Sequence, residues 1–260
     1  MNALAIQIEG IGVWSPQLAG FHALQDLLAG EMPATGAARP PASALSPIER
    51  RRAPQSVLVA IEAASQAVAM SGRAASSLAC VFASAYGDQV TTDYMCSVLA
   101  RTPTELSPTR FHNSVHNAAA GYWTIAADCH APSSATCAGS ASFGAGLLEA
   151  AVLACADNRP VLLVCSDDVG VGPLGELIGG TQVFGCALVL SPGKDAGHRL
   201  RLALTASAPR HPPLPTECLA WMHDNASAAA LPLLAMLATG RGDCVLAASE
   251  QLGLHVQREM

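Results

Sequence analysis

Residues 107–168 spell out a strand, a turn and a helix in a pattern that leaves few ways to fold. "SSAT" is a short β-type run and "CAGSAS" a turn of small residues. "FGAGLLEAAVLACA" has helical spacing, and "RPVLLVCSDD" is an apolar strand ending in two acids. An apolar run bounded by turn signals belongs inside a sheet covered on both faces. Small residues let the backbone bend sharply and let the helix start press against other chain. A helix N-terminus at such a bend stabilises negative charge by up to about 1 kcal/mol. Cys137, Ser140 and Ser142 are therefore the candidate nucleophiles, with His112, His116 and His130 as candidate bases. The plainer reading makes Ser140 a cap and His116 a backbone-bonded histidine.

The same periodicities extend along the chain. Strands are expected at residues 3–13, 78–84, 134–137, 161–165, 182–191, 200–206 and 244–248. Helices are expected at 21–29, 47–70, 91–100, 113–127, 142–156 and 216–238, the last interrupted by Pro232. Alternating strands and helices make an α/β architecture, a mixed central sheet covered by helices. The strands at 182–191 and 200–206 have no helix between them and are expected as antiparallel neighbours.

Charge and cysteine placement narrow the function classes. The net charge of −6 comes with no basic stripe beyond Arg50, Arg51 and Arg52, which argues against a nucleic-acid partner. The nine cysteines sit singly in apolar runs with no zinc spacing, so neither a metal nor a disulfide framework is expected. They fit a reducing, cytoplasmic compartment. The apolar run at 145–156 contains Glu149 and is too short to span a bilayer. Gly10-x-Gly12 lacks the third glycine of a dinucleotide fingerprint, and no G-x-S-x-G elbow occurs, so no cofactor is expected. Asp167 and Asp168 are adjacent at a strand end, where two carboxylates could bind a metal or act as an acid/base pair, but the simpler expectation is that one side chain caps and the other faces water.

"IEGIGVWSPQLAGFHALQDLLAGE", "SSATCAGSASFGAGLLEAA", "RPVLLVCSDD" and "VFGCALVLSP" together resemble the N-terminal half of a β-ketoacyl synthase, a thiolase-fold enzyme. More narrowly, "LSPIERRR", "VFASAYGD", "LSPT", "SVHNAAAGYW" and "AGSASFGAGLLEA" resemble the short chain length factors of type II systems that make aryl polyene or xanthomonadin-like pigments. The resemblance implies a thiolase-like half at 1–206, with 207–260 a helix and strand extension packed on it. Aligned on "GLLEA", the position of the family's reactive cysteine is Ser140, preceded by Gly139, and Cys137 lies three residues early. No G-T-x-T-x-x-G-D run follows, and His198, His211, His223 and His255 lack the family's histidine context.

The resemblance therefore implies a non-catalytic subunit that pairs with an active ketosynthase and, through that complex, meets acyl carrier protein. Phe111, His116, Asn117, Tyr122, Trp123 and Phe143 are the expected tunnel or interface residues. Two alternatives stand beside it. One is an independent acyl-transfer or thioester-cleaving enzyme using Cys137 or Ser140 with His116. The other is a homodimeric binding module.

Overall fold

The computed structural model describes residues 3–192 and 198–259. β1 (Leu4–Trp14) leads to α1 (Phe21–Leu28), α2 (Pro47–Arg52) and α3 (Gln55–Ser71). β2 (Ala79–Ala83) is followed by α4 (Gln89–Arg101), α5 (Pro108–His112), α6 (Ala118–Ala126) and β3 (Ser133–Thr136). Next come α7 (Ser142–Asp157), β4 (Val161–Asp167), α8 (Gly172–Ile178), β5 (Phe184–Ser191) and β6 (His198–Thr205). α9 (Thr216–Asp224), α10 (Leu231–Thr239), β7 (Asp243–Ala247) and β8 (Gly253–Arg258) complete the chain. The strands form one eight-stranded mixed sheet in the order β3-β2-β4-β5-β1-β6-β8-β7.

The expected helix at 47–70 is two helices. Ala53 is extended before Pro54, as the residue preceding a proline must be to avoid its ring. α2 opens on a reciprocal cap in which Ser46 accepts from the Glu49 amide and Glu49 accepts from the Ser46 amide. The expected helix at 216–238 likewise divides. Asn225 is extended after α9, a 3-10 turn fills Ala226–Ala230, and Pro232 sits in the first turn of α10, where its missing N–H costs nothing. The helix expected at 113–127 begins only at Ala118, and α5, α8 and β8 were not read from the sequence.

β1 determines how the sheet is laid out. Its pairing with β5 shifts between Ile8 and Gly10, leaving Glu9 as a bulge. One extra residue reverses which face later side chains meet. Ile6, Ile8, Ile11 and Val13 thus all face one core, while Gly10 and Gly12 face α3. A Cβ at either glycine would stand 2.0 Å from a carbonyl oxygen of α3, Ala67 or Ala63. The two glycines therefore serve close strand–helix packing. Glu9 is held at the bulge by Arg73 at 2.7 Å and by the Ser191 hydroxyl at 2.7 Å.

β5 and β6 are not neighbours, contrary to the antiparallel pairing expected from their adjacency in sequence. Both pair antiparallel with β1, on opposite sides of it. β5 ends with Ser191 opposite Gln7, and β6 begins with His198 opposite Ile8. β5 and β6 therefore run in the same direction on either side of β1, with their registers staggered along it.

The two larger cores lie on opposite faces of the sheet, and a small third cluster holds Trp14, Val59 and Val183. In β2, β4 and β5 alternate side chains feed one or the other. One face packs against α1, α7 and α10, the other against α3 and α6. The 3-10 turn and α7 together make a 19-residue helical stretch, Gly139–Asp157, apolar and long enough to cross a membrane by composition alone. It was expected to be shorter. Half of it is buried, and its buried apolar residues pack on β1, β2, β4 and β5 in the first core. The last elements join the same body: β8 pairs with β6, and a Cβ on Gly144 in α7 would meet the Ala247 carbonyl of β7 at 2.0 Å.

The two sheet edges differ. Arg210 exchanges backbone hydrogen bonds of 3.0 and 2.9 Å with Val245 and so covers β7. β3 pairs with β2 alone among the described residues.

Candidate functional site

The elbow forms where the sequence places it, between β3 and α7. Gly139 takes φ +54, which a side chain resists, and Ser140 follows in a 3-10 turn, exposed. Ser142 braces the turn. Its hydroxyl accepts from the Ala138 amide at 2.9 Å and lies 2.7 Å from the Gly139 carbonyl. Ser142 is thus buried and structural, while Ser140 remains open.

Cys137 and His116 approach the same loop without bonding each other. The Cys137 thiol donates to the Ala85 carbonyl at 3.0 Å, and His116 Nε2 lies 3.3 Å from the Ser84 carbonyl. A thiol tied to a carbonyl has no base to take its proton. His112 packs edge-on against Tyr122 at 6.2 Å between centroids, and His130 is exposed beside Asp128. No candidate base meets a candidate nucleophile among the described residues.

The expected tunnel and interface residues divide by burial. Phe111 is 56% exposed, and His116 and Asn117 are exposed with it. Tyr122 is partly buried and donates to Asn113 Oδ1 at 3.2 Å, and burial pushes its phenol up. Trp123, 2% exposed, and Phe143, 0% exposed, lie inside the two cores. Neither side chain is exposed on the surface of this chain. α6 turns Trp123 toward α3, and α7 turns Phe143 under the elbow, where the chain's own side chains cover them.

Asp167 and Asp168 separate as strand-end neighbours do, but neither simply faces water. Asp167 accepts from the Ser84 hydroxyl at 2.7 Å, the Ala85 amide at 2.9 Å and the Ser227 hydroxyl at 2.6 Å. Burial raises its pKa, and these three donors oppose the shift. Among the described residues Asp168 receives one hydrogen bond, from the Val169 amide at 2.8 Å. Burial, with the charges of Asp88 and Asp167, pushes it up to about 6.

A cavity of about 220 Å³ opens beside the elbow. Ser140, Asp168, Gln89, Tyr86 and His223 line it, together with the Gly179–Gly180 turn after α8. His223 and Asn225 come from the C-terminal segment, about eighty positions beyond Ser140, and nothing in the sequence ties them to the elbow. Asn225 is the hinge of that closure, donating to the carbonyls of Asp167 and Gln182 at 2.9 Å each. A second, narrow crevice between α3 and the 84–88 loop is lined by His116, Asn113 and Val115. Among the described residues no group of three His, Cys, Asp or Glu could hold a metal ion.

Comparison with known proteins agrees with this architecture. Residues 27–251 match the family model of the β-ketoacyl synthase N-terminal domain. A sequence search of curated proteins finds no match. Among solved structures, the ketosynthase ApeO in complex with its chain length factor ApeC, from Xenorhabdus doucetiae, contains a chain similar at TM-score 0.74 and 24% identity, covering 98% of this chain and 100% of that one. The ishigamide ketosynthase/chain length factor is similar at TM-score 0.61 and 16% identity, over 78% of this chain and 67% of that one. A type II ketosynthase bound to its acyl-carrier protein, AntDE:AntF, is similar at TM-score 0.60 and 13% identity, over 73% and 63%.

Proposed function

This chain belongs to the β-ketoacyl synthase N-terminal domain family, and from that premise we propose that it is a non-catalytic chain length factor. It pairs with an active β-ketoacyl synthase, closes that subunit's acyl tunnel, and meets acyl carrier protein through the complex. The observation that carries the reading is the elbow itself: among the described residues Ser140 stands on it without a hydrogen-bonded base, and the Cys137 thiol bonds a carbonyl. A condensing enzyme needs a thiolate and a base in reach of it.

Two features support pairing. The edge strand β3 is open, and an open edge is a template for a second sheet. Exposed apolar side chains stand on and beside the packed pair α4 and α5: Tyr86 and Val90 before and on α4, Leu99 near its end, Phe111 on α5 and Val115 beyond it. Leu177 on α8, 83% exposed, extends that surface, since α8 packs on α4. Apolar side chains left bare on several adjoining elements mark a surface that another protein covers. The free cysteines, six of them buried, support placement in the cytoplasm.

In this reading the exposed Phe111 and Val115 shape the partner's tunnel, by steric exclusion of an extending chain. The test is co-expression with a ketosynthase, followed by gel filtration and product analysis. A one-to-one complex and longer products from Phe111→Ala are expected. A chain that elutes as a stable homodimer whether or not ketosynthase is present would overturn the reading.

A further inference from the structure

Glu149 is the one charged residue in the apolar run 145–156, and the fold brings it to the open edge of the sheet. The Ser134 hydroxyl on β3 donates to Glu149 Oε1 at 2.6 Å, so the carboxylate stands over the edge strand. Among the described residues Glu149 has no other side-chain hydrogen bond and no salt bridge. The charged side chains just before β3, Asp128 and His130, meet each other at 3.4 Å. Ala145, Glu149 and Val152 share one helix face by their i, i+4, i+7 spacing, and each is at least partly exposed. α6 packs on β3 from the opposite face of the sheet. It turns Ile125 outward, 72% exposed, and a Cβ on its Gly121 would meet nothing within 4 Å. β3 has no second strand neighbour among the described residues. The edge is thus a bare surface of three elements, apolar at Ile125 and Val152, small at Gly121 and Ala145, and charged at Glu149.

We infer that Glu149 selects what pairs at this edge: it holds a second copy of the chain away and favours a ketosynthase that brings lysine or arginine to the seam. The inference rests on the reading that the chain pairs with a ketosynthase. Two copies joined edge to edge share a two-fold axis, and the same patch then meets itself. Antiparallel addition of β3 to β3 about an axis normal to the sheet leaves both α7 helices on one face of the joined sheet. Their Glu149 carboxylates then enter one seam. α6, β3 and α7 contain no lysine or arginine to neutralise them. Closing the seam removes water, and repulsion between like charges strengthens as the local dielectric falls. Such a repulsive element rejects one partner while leaving another acceptable. A cation on the ketosynthase meets instead a carboxylate that the Ser134 hydroxyl already orients. Ile125 and Val152 offer apolar contact to either pairing, so the charge is what separates the two.

The test compares wild type, Glu149→Gln and Ser134→Ala, each checked for a native melting transition. Sedimentation of the chain alone reads self-association, and titration with ketosynthase reads the dissociation constant of the complex. Glu149→Gln keeps an acceptor for the Ser134 hydroxyl and loses the charge. It should self-associate at about tenfold lower concentration than wild type and bind ketosynthase about tenfold more weakly. Ser134→Ala loses the tie and keeps the charge, and should stay close to wild type in both. Adding Ala135→Pro to Glu149→Gln should return the chain to monomer, since proline blocks an added strand. A wild-type value of either quantity in Glu149→Gln would overturn the inference while leaving pairing intact. So would Ser134→Ala behaving as Glu149→Gln does, or self-association that survives Ala135→Pro. If wild type itself fails to bind ketosynthase, the pairing reading falls, and self-association alone decides. Stronger self-association of Glu149→Gln then upholds the exclusion of a second copy, and unchanged self-association overturns it.

Discussion

The Ser227 hydroxyl donates a 2.6 Å hydrogen bond to Asp167 Oδ2, tying the C-terminal segment to the end of a central strand sixty positions earlier. Ser227 also lies 3.2 Å from the Cys165 thiol and is fully buried. Through this bond the C-terminal segment becomes a wall of the cavity beside the elbow. Ser227→Ala should therefore cost about 1–3 kcal/mol, because a buried carboxylate loses a donor. Chemical denaturation would measure it, and a change below about 0.5 kcal/mol would mean the bond contributes nothing.

Asp168→Asn should stabilise the isolated chain at neutral pH. Burial raises the Asp168 pKa from 3.8 to about 6, so the folded state disfavours its charge. The stability this group contributes is fully present below pH 3.8 and is lost as pH rises through about 6. Allowing for partial access to water, the variant should gain about 2 kcal/mol at pH 8. Its stability curve should also be flatter between pH 4 and 6 than that of wild type. Melting temperatures across that range decide the matter, and parallel curves would refute it.

Ala135→Pro should prevent pairing while leaving the chain folded. The Ser84 amide donates to the Thr136 carbonyl and the Cys80 amide to the Pro132 carbonyl, so alternate residues of β3 face β2. Ala135 then points its own amide away from β2, toward the open edge. Proline removes that donor and blocks an added strand. Complex formation with ketosynthase at unchanged affinity would rule out edge addition at β3.

Gly144→Ala should be poorly tolerated, since its Cβ would stand 2.0 Å from the Ala247 backbone. Backbone cannot yield as a side-chain tip can, and a loss of about 1–3 kcal/mol is expected. Thermal unfolding checks it. A wild-type melting temperature would mean that β7 shifts freely away from α7.

Incubation with acyl carrier protein thioesters should leave both Cys137 and Ser140 unmodified. Intact-protein mass spectrometry reads this directly, and a stoichiometric acyl adduct would restore the independent-enzyme alternative. The physical basis of the expectation is that the Cys137 thiol is engaged by the Ala85 carbonyl and bonds no histidine among the described residues.

Much of the local structure was legible. β4 reads as buried because Val161 to Cys165 contains no polar residue, and it is buried throughout. The elbow reads as a bend because glycine and serine crowd residues 138–144, and Gly139 adopts the left-handed conformation there. The split at Ala53–Pro54 was also available, as proline forbids a helical residue before it. α8 was hidden because "GPLGELIGG" has too few residues to display a period. Trp123 and Phe143 show the limit for sites: composition marks a large aromatic, but only packing decides whether it faces a core or a partner.

The amino-acid order alone determined the alternation of strands and helices, the bend at Gly139 and the serine that occupies it, since each follows from backbone preferences among near neighbours. Tertiary structure alone decided that β1 lies between β5 and β6, and that Gln89, Asp168 and His223 share one cavity with Ser140. Those relations depend on registers between strands and on closure of segments far apart in the chain. The free energy that selects them comes from burying both faces of the whole sheet at once, which no local stretch encodes.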